Sequence, residues 1–182
     1  MILPMYILGQ PLLRKEATDI PTDYPDLQEL IQNMYETMQK ADGVGLAAPQ
    51  VGLSIRLFVI DLNSLSDDMP EYKGYLHAFI NPRILEASEE TELMEEGCLS
   101  VPGIHENVRR AKSVHVTYLD EQLQPHDEWI DGFAARVFQH EYDHLEGKLF
   151  IDHISGLRKQ LIKKKLVAMA KGKISCTYKV KK

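Results

Sequence analysis

The sequence predicts an α+β fold: mostly antiparallel or mixed sheets around a central helix, with a C-terminal helix to follow. Three observations predict it. Strand-like runs cluster early and between helices, with no regular alternation that would build a doubly wound sheet. The stretch around His140 is helical in pattern and apolar on most sides, so it belongs at the centre. The 182 residues suffice for one domain with a real core and are short for two. Residues 1–150 are expected to form the body, and 151–182 the helix and basic tail of the same single domain.

The elements follow in order. Residues 26–40 read as the first helix, because Leu27, Leu30, Ile31, Met34 and Met38 recur at helical spacing. Pro25 and Asp26 suit its first turn, and Gly43 follows its end. Ile55–Asp61 is a short run of branched and aromatic residues, expected to be a buried strand. Leu76–Ile80 and Ser113–Asp120 are further strands; in the second, Val114, Val116 and Tyr118 alternate with polar residues. Asn63–Lys73, with Asp67, Asp68 and Pro70, reads as a loop, and Gln122–Pro125 as a turn. A second helix is expected from about Gly132 to Glu146, stopping at Gly147. A third starts at Ser155, a suitable N-cap, with Leu157, Leu161, Leu166 and Met169 on its apolar side.

Composition sets limits. Hydrophobic residues at 44% and charged residues at 26% are ordinary for a soluble globular protein. No window approaches the roughly 18 apolar residues of a membrane span, and Pro4 and Pro11 break the N-terminal apolar stretch, which does not read as a signal peptide. Two cysteines, Cys98 and Cys176, are too few for a disulfide framework, so a reducing cytoplasm is the expectation. Net charge is −6, unevenly spread. Residues 151–182 hold ten Lys and Arg and one acid, a net +9, against −15 for the first 150 residues. The acidic body argues against general nucleic-acid binding. The tail reads as a solvated basic helix and a frayed end that could visit a polyanion.

The chemistry centres on His140-Glu141-Tyr142-Asp143-His144. On a helix, positions i and i+4 stack on one face, so the two imidazoles can grip one metal ion. Glu141 is angled beside that ion and can take a proton from water and return it to a leaving group. The bland alternative is a surface helix decorated by two histidines and a glutamate. Against it, Phe133, Ala134, Val137, Phe138 and Leu145 wrap the helix in apolar side chains, and burying such polar groups without a use is costly. A catalytic site needs a third protein ligand and an open position. Downstream donors are Asp152, His153 and Cys176; the stronger candidate is Cys98 upstream, in Glu96-Gly97-Cys98-Leu99-Ser100. A thiolate suits a borderline metal, and Gly97 allows close backbone approach.

Three segments carry a family resemblance: Gly43-Val44-Gly45-Leu46-Ala47-Ala48-Pro49-Gln50, Glu96-Gly97-Cys98-Leu99-Ser100, and Gln139-His140-Glu141-Tyr142-Asp143-His144-Leu145-Glu146-Gly147. In order and separation they closely resemble the three motifs of bacterial-type peptide deformylases. The opening Ile2-Leu3-Pro4 and Leu13-Arg14 are also similar, so the resemblance covers most of residues 1–150. It implies a metal-dependent hydrolase that removes formate from the N-terminal formyl-methionine of nascent polypeptides. It selects Cys98 with His140 and His144 as the metal ligands, and Glu141 as acid and base. It implies the Leu99 N–H and the Gln50 amide as donors to the oxyanion, and Gly45 beside the scissile amide. Val44, Phe133 and Val137 match the methionine slot, with Glu96 close by, either lining it or orienting an arginine or a ligand.

The implied native ion is Fe2+, replaceable by Zn2+, Ni2+ or Co2+. His77, His105, His115, His126 and His153 read as surface or structural histidines; in some relatives the residue matching His105 is an arginine near the substrate. A monomer is expected, without a membrane partner, with ribosome association through the basic tail. Two competing readings are an endopeptidase, which lacks its usual downstream ligand here, and a non-catalytic metal module, which leaves Glu141 and Gln50 unexplained.

Overall fold

The computed structural model describes residues 1–181. Among them are three α-helices and seven strands: α1 (Leu27–Lys40), β1 (Gly45–Ala47), β2 (Leu57–Asp61), β3 (Leu76–Ala87), β4 (Thr91–Cys98), β5 (Val101–Ala111), β6 (Ser113–Leu119), β7 (Pro125–Asp131), α2 (Gly132–Leu145) and α3 (Gly156–Ala170). The expected α+β architecture is present. One five-stranded sheet runs β1-β2-β3-β6-β7, and β4 and β5 form a separate two-stranded sheet. Every pairing of neighbours in both is antiparallel. No helix among the described residues is long and apolar enough to cross a membrane.

The apolar run of β2 has a direct explanation. Both faces of the sheet are covered there, so all five of its residues are buried. Phe58 and Ile60 face α2, where they meet Phe79, Val114, Val116, Ala134 and Phe138. Leu57 and Val59 face the other way, towards Ile31, Met34 and Met38 of α1. Strand alternation delivers the two sets to opposite sides. At the centre of the α2 side, Phe138 meets Phe58 and Phe79 edge-on, with ring centroids 5.0 and 5.1 Å away.

Several expectations need correction. Strand β3 runs on to Ala87, beyond the expected end at Ile80. It passes Pro82 through an irregularity, with Asn81 in the left-handed region at φ 50°. Strands β1, β4, β5 and β7 were not anticipated as strands. On α3, Leu157 and Leu161 are exposed, at 70% and 62%, and the buried line is Ile162 and Met169 with Leu166 half-buried. The Ser155 cap is as expected: its hydroxyl accepts the Arg158 N–H at 3.2 Å. Asp26 precedes α1 with left-handed backbone and no side-chain cap.

The tail is not frayed. From Ile174 to Val180, Ile174, Cys176, Tyr178 and Val180 are half-buried and alternate with exposed residues. Met5 N–H donates to the Lys179 carbonyl at 2.9 Å, and Lys181 N–H to the Met5 carbonyl at 2.8 Å. The alternation Ile-Ser-Cys-Thr-Tyr-Lys-Val-Lys is legible in the sequence, but the net charge of the tail pointed instead to a solvated end.

Candidate active site

Helix α2 has two working faces. Ala134, Ala135, Phe138 and Leu145 pack on the sheet. The adjoining flank carries His140, Glu141 and His144, all buried, so the polar row lies under the surface. His140 and His144 stand one turn apart, ring centroids 5.3 Å from each other. Cys98 arrives from the end of β4, where a register irregularity between Gly97 and Cys98 breaks the pairing with β5. The Cys98 Sγ and one nitrogen from each of His140 and His144 lie within 4.8 Å of one another. The Cys98 Sγ to His144 Nε2 distance is 3.4 Å.

A buried ion network sets the orientation of His140. Its Nδ1 lies 2.9 Å from Glu96 Oε1, which leaves Nε2 for the site. Arg110 grips the Glu96 carboxylate with two nitrogens, at 2.7 and 2.9 Å. Arg136, one helical turn before His140, adds a third contact at 2.6 Å. Arg110 also reaches Asp143 at 2.8 Å, and Asp143 meets His153 Nε2 at 2.8 Å. Two guanidinium groups thus face two carboxylates, which compensates charges that would otherwise be costly to bury. Burial opposes ionisation of Glu96, but the hydrogen bonds from His140 and Arg110 hold its pKa down at about 2.

Glu141 has the opposite fate. Burial, with no arginine in contact, pushes its pKa up to about 7. Its Oε1 is 4.0 Å from His140 Nε2, and its Oε2 is buried without any hydrogen-bond partner. Strand β1 presses against it: a Cβ on Gly45 would fall 2.5 Å from Glu141 Oε1, so a larger residue there would push the carboxylate aside. Burial also lowers the pKa of His144, favouring the neutral imidazole that binds metals.

Gln50 is 1% exposed. Its Oε1 accepts the Ala47 N–H at 2.9 Å, which turns its amide donor inward, 3.1 Å from Ser100 Oγ and 3.5 Å from Cys98 Sγ. Gln50 and Cys98 open onto one cavity of about 510 Å³, lined also by Val44, Gly45, Leu99, Phe133 and Val137. That size suits a small-molecule or peptide-end site. Of the site residues expected from the sequence, His144 alone is not part of the lining; it sits behind Cys98. Glu96 touches the cavity wall, but its carboxylate is turned to Arg110, Arg136 and His140. His105 lines the cavity as well, and a Cβ on Gly97 would meet its ring at 2.8 Å.

Sequence reasoning missed Arg110 and Arg136. A signal existed for Arg136, four residues before His140 and hence on the same helical face. It also missed Ser175, Cys176, Thr177 and Tyr178, which line the cavity from the tail.

The donor set fits a metal. A thiolate and two imidazoles within reach of one point suit a first-row divalent ion, and the unpartnered Glu141 oxygen lies alongside without joining the set.

Comparisons with known proteins agree with this geometry. A family model described as polypeptide deformylase matches residues 2–160. The peptide deformylases of Christiangramia forsetii and Flavobacterium johnsoniae are each 50% identical over all of this chain and 96% of theirs. The crystal structure of the Thermotoga maritima peptide deformylase superposes with a TM-score of 0.77 at 44% identity, covering 85% of this chain and 99% of that one. The Plasmodium falciparum enzyme gives a TM-score of 0.84 at 33% identity, covering 92% and 95%. The model match over most of the chain and half-identical relatives along its whole length lead to one conclusion: the chain belongs to the polypeptide deformylase family.

Proposed function

We infer that the protein is a metal-dependent hydrolase that removes the N-formyl group, as formate, from the formyl-methionine that begins nascent polypeptides. The observation that carries this reading is the meeting of Cys98, His140 and His144 around one point, with the buried, unpartnered Glu141 carboxylate beside it. Cys98, His140 and His144 would hold the ion. When bound, such an ion supplies Lewis-acid polarisation and makes water acidic near neutral pH.

The remaining chemistry belongs to the chain. Glu141 takes the proton from the attacking water; its buried carboxylate, with Oε2 free of any other hydrogen-bond partner, is placed for that task. As water adds to the formyl carbon, the Gln50 amide and the Leu99 N–H donate to the developing oxyanion. Glu141 then delivers its proton to the departing amine, the carbon–nitrogen bond breaks, and formate leaves. Gly45 keeps β1 close to the reacting amide without crowding Glu141. Val44, Phe133 and Val137 supply the apolar slot for the methionine side chain. Glu96 acts behind His140 and fixes its tautomer, which favours the orienting role over the lining one.

Replacing Glu141 with Ala tests the assignment. Formate release from a formyl-methionyl peptide is expected to vanish while metal content stays at the wild-type level. Persistent release with intact metal removes Glu141 from the mechanism.

The resident ion is proposed to be Fe2+, with Zn2+, Ni2+ or Co2+ able to replace it. Metal analysis after anaerobic purification, paired with the formate assay, decides among them. Residues 1–150, the catalytic body, and 151–182 are proposed to work as one domain in a monomeric cytoplasmic enzyme. The exposed lysines of α3 support docking on ribosomal RNA. Co-sedimentation with ribosomes should then fall steeply with salt, and charge-neutral replacement of Lys163, Lys164 and Lys165 should weaken it.

A further inference from the structure

We propose that the C-terminal segment Ser175–Tyr178 is a wall of the substrate channel and selects among formyl-methionyl peptides by the residue that follows the methionine. The proposal rests on the deformylation reading and extends it to specificity. It also concerns residues beyond the span that the family model matches, which ends at residue 160.

The first argument is placement. These four consecutive residues line the same cavity as Cys98 and Glu141, whereas α3, from which they descend, does not. The reacting amide belongs at Glu141, and the methionine side chain at Phe133 and Val137. The residues after methionine must therefore cross the rest of the cavity to reach solvent, and the tail forms part of that remainder. Ser175 and Thr177 are exposed and available to a passing peptide, while Cys176 and Tyr178 are half-buried and hold the segment down.

The second argument is fastening. A selective wall has to be fixed relative to the catalytic loops, and this one is fixed twice. Directly, the Tyr178 hydroxyl donates to the Leu99 carbonyl at 2.6 Å. Indirectly, the tail pairs with Met5 through Lys179 and Lys181, and the same N-terminal arm donates from Tyr6 to the Gln50 carbonyl at 2.7 Å and from Leu8 to the Ser100 carbonyl at 2.9 Å. The loops that present Gln50 and Leu99 are thus each tied to the segment that borders the channel.

The test uses full-length, metal-loaded enzyme with formyl-Met-Ala-Ser and formyl-Met-Trp-Ser. Thr177 is exposed, so T177W narrows the channel without burying new bulk in the core. The ratio of kcat/KM for the alanine peptide to that for the tryptophan peptide should rise about fivefold or more in T177W, with melting temperature and metal content at wild-type values. An unchanged ratio overturns the proposal. Should T177W not fold, Y178F decides by the same ratio, which must move about threefold or more once the hold on Leu99 is lost. If the wild-type enzyme releases no formate from either peptide, the deformylation reading fails, and this proposal with it. Formate release with an insensitive ratio removes the wall alone.

Discussion

Glu96 and Gln50 act on the site in different ways, and their variants should differ accordingly. On the proposed mechanism Gln50→Ala removes an oxyanion donor and is expected to lower kcat by about a hundred- to a thousandfold, with metal content unchanged; steady-state kinetics and metal analysis on one preparation check both halves. Glu96→Ala removes the acceptor shared by Arg110, Arg136 and His140. Arg110 keeps Asp143, but the Arg136 guanidinium is left with only the backbone carbonyls of Val108 and Glu92 against its charge, which costs roughly 3–5 kcal/mol of stability. His140 also loses its orientation, and metal affinity should fall by about 10- to 100-fold. Denaturant melts and chelator competition read these two effects separately. At this scale the sequence was partly legible. His140, Glu141 and His144 recur at helical spacing, so the sequence suggested their joint use, and the apolar wrapping of the helix argued for it. Cys98 was readable only through its motif, because 42 residues and three strands separate it from His140. Arg110 was invisible, since a charged residue defaults to the surface until a distant partner is known; Arg136 offered only its place one turn before His140.

Helix α2 joins core to chemistry, because a shift of Phe138 against Phe58 and Phe79 moves the turn that carries His140 and Glu141. Phe138→Ala should cost about 3–5 kcal/mol, a fall in melting temperature of roughly 10 °C for a domain of this size. It should also reduce turnover although Phe138 does not line the cavity. Calorimetry and the formate assay on the same variant check the pair. Legibility at this scale followed burial. Helices α1 and α2 and strand β2 were readable because their buried positions are apolar. Strand β5 was not: its inward positions include Glu106 and Arg110 beside Ile104 and Val108, which breaks the apolar alternation. On α3 the apolar residues fall on two faces, and only packing against the body decides that Ile162 and Met169 go inward rather than Leu157 and Leu161.

Across the molecule, the metal site draws on separate parts of the chain, with Cys98 on β4 and both histidines on α2. Binding there stabilises the folded state alone, by about 4 kcal/mol when free metal exceeds its Kd a thousandfold. Chelator-stripped protein is therefore expected to melt roughly 10 °C lower than loaded protein. The transition should remain single, because Arg14 pairs with Asp152 at 2.7 Å and Arg158 with Glu106 at 2.7 Å across the division between body and C-terminal segment. Separate transitions in circular dichroism and in the fluorescence of Trp129 would dissolve the one-domain proposal.

The pairing of Met5 with the stretch around Val180 has a temporal consequence. Translation runs from the N-terminus, so the arm that ties down Gln50 and Ser100 is made long before its partners Lys179 and Lys181. Until Lys179 and Lys181 have been made, the arm lacks its brace and the channel lacks one side. A protein that trims the beginnings of newborn chains thus finishes its own working surface with the last residues of that surface to be born.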